Sequence, residues 1–314
     1  MSKMKFDEFK DAVVSKIREF LPETFANADV RLNVVTKNND LQLTGLVINA
    51  GNSNVAPTIY LESFFDAYEK GEDINEILRK IADTRVTHEF SDNFEVAEIT
   101  DFERCKGKIV PRLIGKKWNN ELLRTRPYKE AADLAITYCI MLGEDDNGTM
   151  SVPITNDLMI SWGVTVDDLH EFAISNMEDI TPFEFASMSS VIGHMLLDEF
   201  PQDMTEEEKE QALSDFGFMD EAMFVLTNRQ KMYGAAALLS KSTMTDIIKK
   251  IGKDFFILPS SVHEVLIVPA TPDMEASMLR NMVCEVNETQ VSPEDRLSDS
   301  VYIYTEKGGL QLAK

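Results

Sequence analysis

Two β-type runs joined by a short turn and followed by a helix recur along this chain, and that order limits the folds open to it more than any other feature. Runs 30–35 and 41–48 are separated by Lys37, Asn38, Asn39 and Asp40. Asn and Asp tolerate left-handed backbone, so the spacing predicts a hairpin. Helical segments follow at 61–70 and 74–86, divided by Gly71, with Asp73 as a cap. The order returns with runs 134–142 and 149–154 around the turn 144–148, and with helices from Asn156. It returns again with runs 223–227 and 232–239 around the turn 228–231, then a helix over 243–251 closed by Gly252. A fourth pair, 255–258 and 265–268, precedes Thr271-Pro272. Proline suits a first helical position because its missing amide hydrogen has no partner there anyway. Runs 301–304 and 310–312 around Lys307, Gly308 and Gly309 make a closing hairpin. Ahead of all these, Phe6, Phe9, Val13, Ile17 and Phe20 lie on one stripe of a helix ending near Pro22.

Hairpins alternating with helices specify an α+β fold, in which antiparallel sheets have helices packed on one face. The units share no sequence, so the recurrence is architectural and no solenoid is implied. A chain of 314 residues buries a sizeable core without disulfides. It reads either as one extended domain or as two α+β regions, 1–129 and 130–314. Cys105, Cys139 and Cys284 are odd in number and lack CxxC spacing, which fits a reducing cytoplasm. Charges among residues 1–21 leave no apolar signal core, and the longest apolar uncharged run, 185–197, is too short to span a bilayer. A soluble cytoplasmic protein is expected.

The formal charge of −23 is unevenly placed. Residues 130–208 hold eighteen Asp and Glu and no Lys or Arg. Just before them, Arg104, Lys106, Lys108, Arg112, Lys116, Lys117, Arg124, Arg126 and Lys129 face one acid, Glu121. The balance argues against whole-surface attraction to nucleic acid or anionic lipid, which both need a positive face. With Trp118 and Tyr128 interleaved, the basic patch could contact an anionic partner or nucleic acid; docking on the acidic region is the preferred expectation, since that neighbour would repel a polyanion. Part of the acidic excess has structural uses: Thr165 opens an amphipathic helix with Asp167 and Asp168 in its first turn. Thr205 with Glu208 forms a capping box whose Glu206 and Glu207 sit on the positive end of a helix dipole. The remainder could be solvated helix face, a surface for a basic protein, or an imitation of nucleic-acid phosphates. Asp167, Asp168, Glu171, Glu206 and Glu207 are the candidate partner-binding residues.

The candidate chemistry is local. Leu258-Pro259-Ser260-Ser261-Val262-His263-Glu264 places two hydroxyls, an imidazole and a carboxylate in five residues, which suggests a hydrolase using Ser260, Ser261, His263 and Glu264. Such a site needs nucleophile, base and acid to converge, whereas neighbours on an extended strand point to opposite faces, and no Gly-x-Ser-x-Gly elbow exists. The alternative is a turn whose serines cap backbone groups. His88, His170 and His263 each precede Glu, yet none begins HExxH, and the turn 144–148 lacks the calcium-loop carboxylate at its twelfth position. Neither GxxxxGK[ST] nor GxGxxG occurs. No metal and no cofactor is expected.

Phe224-Val225-Leu226-Thr227-Asn228, Tyr233-Gly234-Ala235-Ala236, and the string from Phe256 through His263-Glu264 to Val268-Pro269 resemble an uncharacterised family of bacterial proteins from anaerobic gut Firmicutes. The Phe6 helix, the Asn-rich hairpin and Ile59-Tyr60-Leu61 extend the resemblance over nearly the whole chain. It implies a cytoplasmic setting and supplies no substrate, cofactor or mechanism. The leading expectation is a non-enzymatic binding or regulatory protein whose acidic surface engages a basic protein. The alternatives are the hydrolase and the nucleic-acid mimic.

Overall fold

In the first part of the chain, the stripe read from Phe6 to Phe20 forms helix α1 (Phe6–Lys16), which tightens into a 3₁₀ turn over Ile17–Phe20. This is a computed structural model, which describes residues 3–51, 56–88, 95, 97–145, 148–199, 205 and 223–313. Strands β1 (Asp29–Thr36) and β2 (Gln42–Asn49) pair antiparallel, from Asp29 opposite Asn49 to Thr36 opposite Gln42. Asn39 and Asp40 in the connection adopt positive φ. Strand β3 (Thr58–Tyr60) adds to β2, and α2 (Glu62–Glu69) and α3 (Ile74–Thr87) follow. Asp73 caps α3 by accepting the Asn75 amide at 2.9 Å. Phe9, Val13, Ile17, Phe25, Leu46, Ile48, Ile77 and Ile81 close one core. Arg85 is buried at its edge, where Nε donates to the Ile48 carbonyl and the guanidinium lies over the Phe25 ring.

The chain divides into two compact units, 1–98 and 99–314. Residues 129 and 130, where the charge changes sign, both lie in strand β5, inside the second unit. Short helices α4 (Ala97–Thr100) and α5 (Phe102–Cys105) lead to β4 (Ile109–Gly115), α6 (Asn120–Thr125), β5 (Lys129–Ala131), β6 (Leu134–Asp145) and β7 (Gly148–Pro153). Strand β6 is the spine of this sheet, paired with β4 on one side and with β5 and β7 on the other. Helices α7 (Asn156–Trp162) and α8 (Val166–Ile180) follow, the latter opened by the Thr165/Asp168 capping box.

A six-stranded antiparallel sheet completes the unit in the order β13-β12-β10-β11-β9-β8. Its strands are β8 (Phe183–Ser187), β9 (Phe224–Asn228), β10 (Phe255–Pro259), β11 (Val265–Pro269), β12 (Tyr302–Thr305) and β13 (Gly309–Leu312). Helices α9 (Met188–Glu199), α10 (Lys241–Ile251) and α11 (Ala276–Thr289) lie between these strands in sequence. Phe255, Ile257, Val265, Ile267 and Tyr302 face the main core shared with the sheet built on β6, while Phe256, Leu258 and Val268 pack on Leu279 and Val283 of α11. Both faces of this sheet are therefore covered, not one. That is why its central strands read as continuous apolar runs without alternation.

The α+β class with antiparallel sheets holds, with two further corrections. Residues 232–239 do not form the second strand of a hairpin; Gly234–Leu239 is a 3₁₀ turn. Lys231 and Tyr233 take positive φ, which turns the chain inward, and β9 pairs instead with β8 and β11. Thr271-Pro272 does not start α11, because Thr271 accepts the Met274 amide in a separate turn and the helix begins at Ala276. Glu206, Glu207 and Glu208, which would complete the capping box at Thr205, lie outside the described residues.

Candidate functional site

The Leu-Pro-Ser-Ser-x-His-Glu string forms the connection between β10 and β11. Ser261 Oγ accepts the His263 amide at 3.0 Å, and the Ser261 amide donates to the Glu264 carbonyl at 3.1 Å. The His263 carbonyl accepts Thr227 Oγ1 at 2.8 Å. Both imidazole nitrogens are engaged. Nδ1 accepts the Tyr233 amide at 3.2 Å, and Nε2 meets Asp295 Oδ1 at 3.0 Å. This pattern requires the tautomer with its proton on Nε2. An imidazole held this way has no lone pair for a hydroxyl, so Ser261 and His263 are adjacent without forming a nucleophile–base pair. Ser260 and Glu264 are half-buried members of the same turn.

What the turn holds in place is Tyr233, a non-glycine residue at φ +56°. Asn228 secures the approach to it, donating from Nδ2 to the Met232 carbonyl and accepting the Met232 amide on Oδ1. The Tyr233 ring then carries the Arg112 guanidinium, whose carbon lies 3.9 Å from the ring centroid. Arg112, from β4, donates Nη2–H to Ser151 Oγ of β7 at 2.5 Å. Arg126, immediately after α6, lies within electrostatic reach of Arg112, Tyr233 and Cys139. Desolvation, and after it the charge of Arg112, holds the Arg126 guanidinium below the usual arginine range. Burial pushes the Cys139 thiol up, against the opposing pull of the two arginines. In sequence these arginines merged into the basic patch. The missed signal is Arg112 itself, a charge inside the otherwise apolar run of β4, whose neighbours 109–111 and 113–115 are all buried.

Of the acidic candidates, Asp167, Asp168 and Glu171 all lie on α8. Asp168 is consumed by the cap, accepting the Thr165 amide at 2.8 Å and its hydroxyl at 2.7 Å. Asp167 accepts Lys129 Nζ at 2.8 Å. Glu206 and Glu207 are outside the described residues. Asp167, His170, Glu171 and Glu178 line a cleft of about 710 Å³ with Lys129 and Ser240. Glu178 accepts the hydroxyls of Ser240 and Ser242, which lowers its pKa. Burial, then Lys129, lowers the pKa of His170, whose Nδ1 shares a hydrogen bond of 3.2 Å with the Tyr138 hydroxyl. The sign follows from linkage: below the ordinary histidine range the unfolded chain takes a proton that the folded protein resists, so acid favours unfolding. The melting temperature should fall as pH drops from 7 toward 5, and His170→Gln should flatten that slope. An unchanged slope in the variant would assign the effect elsewhere.

The basic patch covers the acidic region only in part. Lys116 pairs with Glu130 and Lys129 with Asp167, whereas Arg104, Lys106 and Arg124 are held by their near neighbours Asp101, Glu103 and Glu121. Among the described residues, no group of three or more His, Cys, Asp or Glu side chains is placed to hold a metal, and no helix is long and apolar enough to cross a membrane. No curated protein and no solved structure matches the chain. One family model does, over residues 6–306, and that span takes in most of both units, with the Tyr233 corner, Arg112 and Arg126. The chain thus belongs to a family of unknown function, DUF5688.

Proposed function

We propose that this chain is a non-enzymatic binding or regulatory protein of the bacterial cytoplasm that engages a basic protein surface through the acidic side chains on and around α8. The observation that carries this reading is the set Asp157, Glu171, Asp179 and Glu184. All four are exposed and form no ion pair among the described residues, and the nearby basic residues Lys116 and Lys129 are taken up by Glu130 and Asp167 instead. Internal charge pairing therefore leaves acids available on this unit. Opposite charges across an interface steer encounter and favour the complementary partner.

A Lys/Arg-rich peptide should bind the protein at low salt and release as salt rises, because exposed charges are screened over about 10 Å at 0.1 M. The double variant Glu171→Lys, Asp179→Lys should weaken that binding several-fold while leaving the fold unchanged. Fluorescence anisotropy of the labelled peptide measures both effects. Equal binding by the variant, or indifference to salt, would remove this face from consideration.

A further inference from the structure

The strongest unassigned feature is a cavity of about 580 Å³ in the second unit, where β9 begins and β11 ends. Its walls include Leu258 and Val268 from the sheet, Leu279 and Met282 from α11, and Met274 from the turn before that helix. Leu258, Val268 and Leu279 also belong to the small apolar core between sheet and helix, so the cavity opens directly beside that core. From there the apolar surface continues outward along α11. Met278, Met282 and Val286 stand four residues apart on one face and are 63%, 54% and 43% exposed. Contiguous apolar surface of this kind marks a binding site, and flexible thioethers adapt to the shape of what they cover.

The charge at this cavity runs against that of the whole chain. Among its lining side chains only Lys250 and Lys253 are charged, although the chain carries −23. Neither lysine forms an ion pair among the described residues. Lys250 lies in the last turn of α10 with its Nζ 5.1 Å from the Phe185 ring centroid, and Lys253 follows Gly252, which ends the helix at φ +76°. The helix dipole accounts for a lysine in the last turn but not for Lys253, which stands beyond it. We propose that this cavity binds an aliphatic carboxylate of the fatty-acid type, with its tail on Leu258, Leu279 and the methionines and its head at Lys250 and Lys253. The volume is that of a small-molecule site, and an apolar lining with few polar groups orients such a ligand by its one polar end. The single aromatic ring in the lining, Phe224, is already stacked on Phe185, and Thr271 is the one polar side chain besides the lysines. The lining therefore favours a flexible apolar tail over a ring system or a sugar.

Isothermal titration of the intact protein tests this, with octanoate, decanoate and decyltrimethylammonium as probes. Decanoate should bind and the cation of equal tail length should not. Octanoate should bind about tenfold more weakly than decanoate, since each buried methylene is worth roughly a factor of four. The double variant Lys250→Glu, Lys253→Glu should weaken decanoate by about tenfold or more and take up decyltrimethylammonium instead, the equivalent of losing one charge-assisted contact and gaining its opposite. That exchange of preference also shows that the variant remains folded. Met282→Glu, at a position already half exposed, should weaken decanoate to a similar degree with an unaltered circular dichroism spectrum. No decanoate binding up to about 1 mM, equal binding of decyltrimethylammonium by the unmodified protein, or unaltered decanoate binding by both variants would overturn the proposal. Tighter binding of an amphipathic Leu/Glu helical peptide would give the groove to a protein helix, and a dimer that Met282→Glu dissociates would give it to a second copy. Either result overturns the carboxylate reading. None of these variants touches the acids of α8, so failure here and failure of the basic-partner reading are separable.

Discussion

Gly234→Ala is expected to cost about 3 kcal/mol of stability, the upper end for forcing an extra group into a packed interior. A Cβ at this position would stand 2.4 Å from Thr227 Oγ1, 2.5 Å from the His263 carbonyl oxygen and 2.6 Å from the Asn228 amide nitrogen. Two of those atoms belong to backbone, and the third is a hydroxyl already bonded to the His263 carbonyl. None can swing aside as the end of a flexible side chain would. The backbone of Gly234 must therefore retreat. That retreat pulls on the Tyr233 amide, which donates to His263 Nδ1, and on the Ala235 amide, which donates to the Val262 carbonyl at 3.2 Å. Urea denaturation followed by circular dichroism measures the loss. A change below about 1 kcal/mol would mean that the corner between β9 and the β10–β11 connection yields easily, contrary to the usual behaviour of close-packed interiors.

Asp133→Ala should cost a comparable amount, about 3 kcal/mol, through lost hydrogen bonds and not through overcrowding. The Asp133 carboxylate accepts the Tyr302 hydroxyl at 2.6 Å on one oxygen, and Ser300 at 2.7 Å and Ser298 at 3.1 Å on the other. Tyr302 has no exposed surface. Burial, then its bond to Asp133, raises the phenol pKa, so the hydroxyl remains a donor that needs an acceptor. Removing the carboxylate leaves that donor buried without one. Asp133→Asn keeps an acceptor oxygen and should lose less. A double-mutant cycle with Tyr302→Phe isolates the pair, and a coupling near zero would show that water replaces the carboxylate at no cost.

The elements legible in the sequence were those whose signal is local. Helix α3 declared itself through Asp73 and its apolar stripe, β1–β2 through an Asn-rich turn, and α10 through Gly252, which caps it at φ +76°. The run 232–239 misled because its small apolar residues suit a tight turn as well as a strand. The side chain of Asn228 and the positive φ at Tyr233 decide the outcome, and neither leaves a periodic trace. Strand β4 was hidden because Arg104, Lys106 and Lys108 precede it and Lys116 and Lys117 follow it, and the charge pattern of that stretch masked its apolar run. The candidate site was half visible. His263 stood out as chemistry, but its partners Tyr233 and Asp295 are 30 and 32 residues away in sequence, so its structural bonds could not be read from the string itself.

The Asp133 junction also bears on how the second unit comes into being. Its three hydrogen bonds close chain loops of 165, 167 and 169 residues. Nothing local brings these ends together, and the entropy of closing such loops is lost before the contacts reward it. During synthesis, the sheet organised by β6 emerges long before the residues that bridge it to β12. Until then Asp133 has no serine or tyrosine to satisfy, and the apolar face meant for Tyr302 stays open to water or to neighbouring chains. The time between the emergence of β6 and the arrival of Ser298, Ser300 and Tyr302 is the interval in which this unit is most exposed to misassembly.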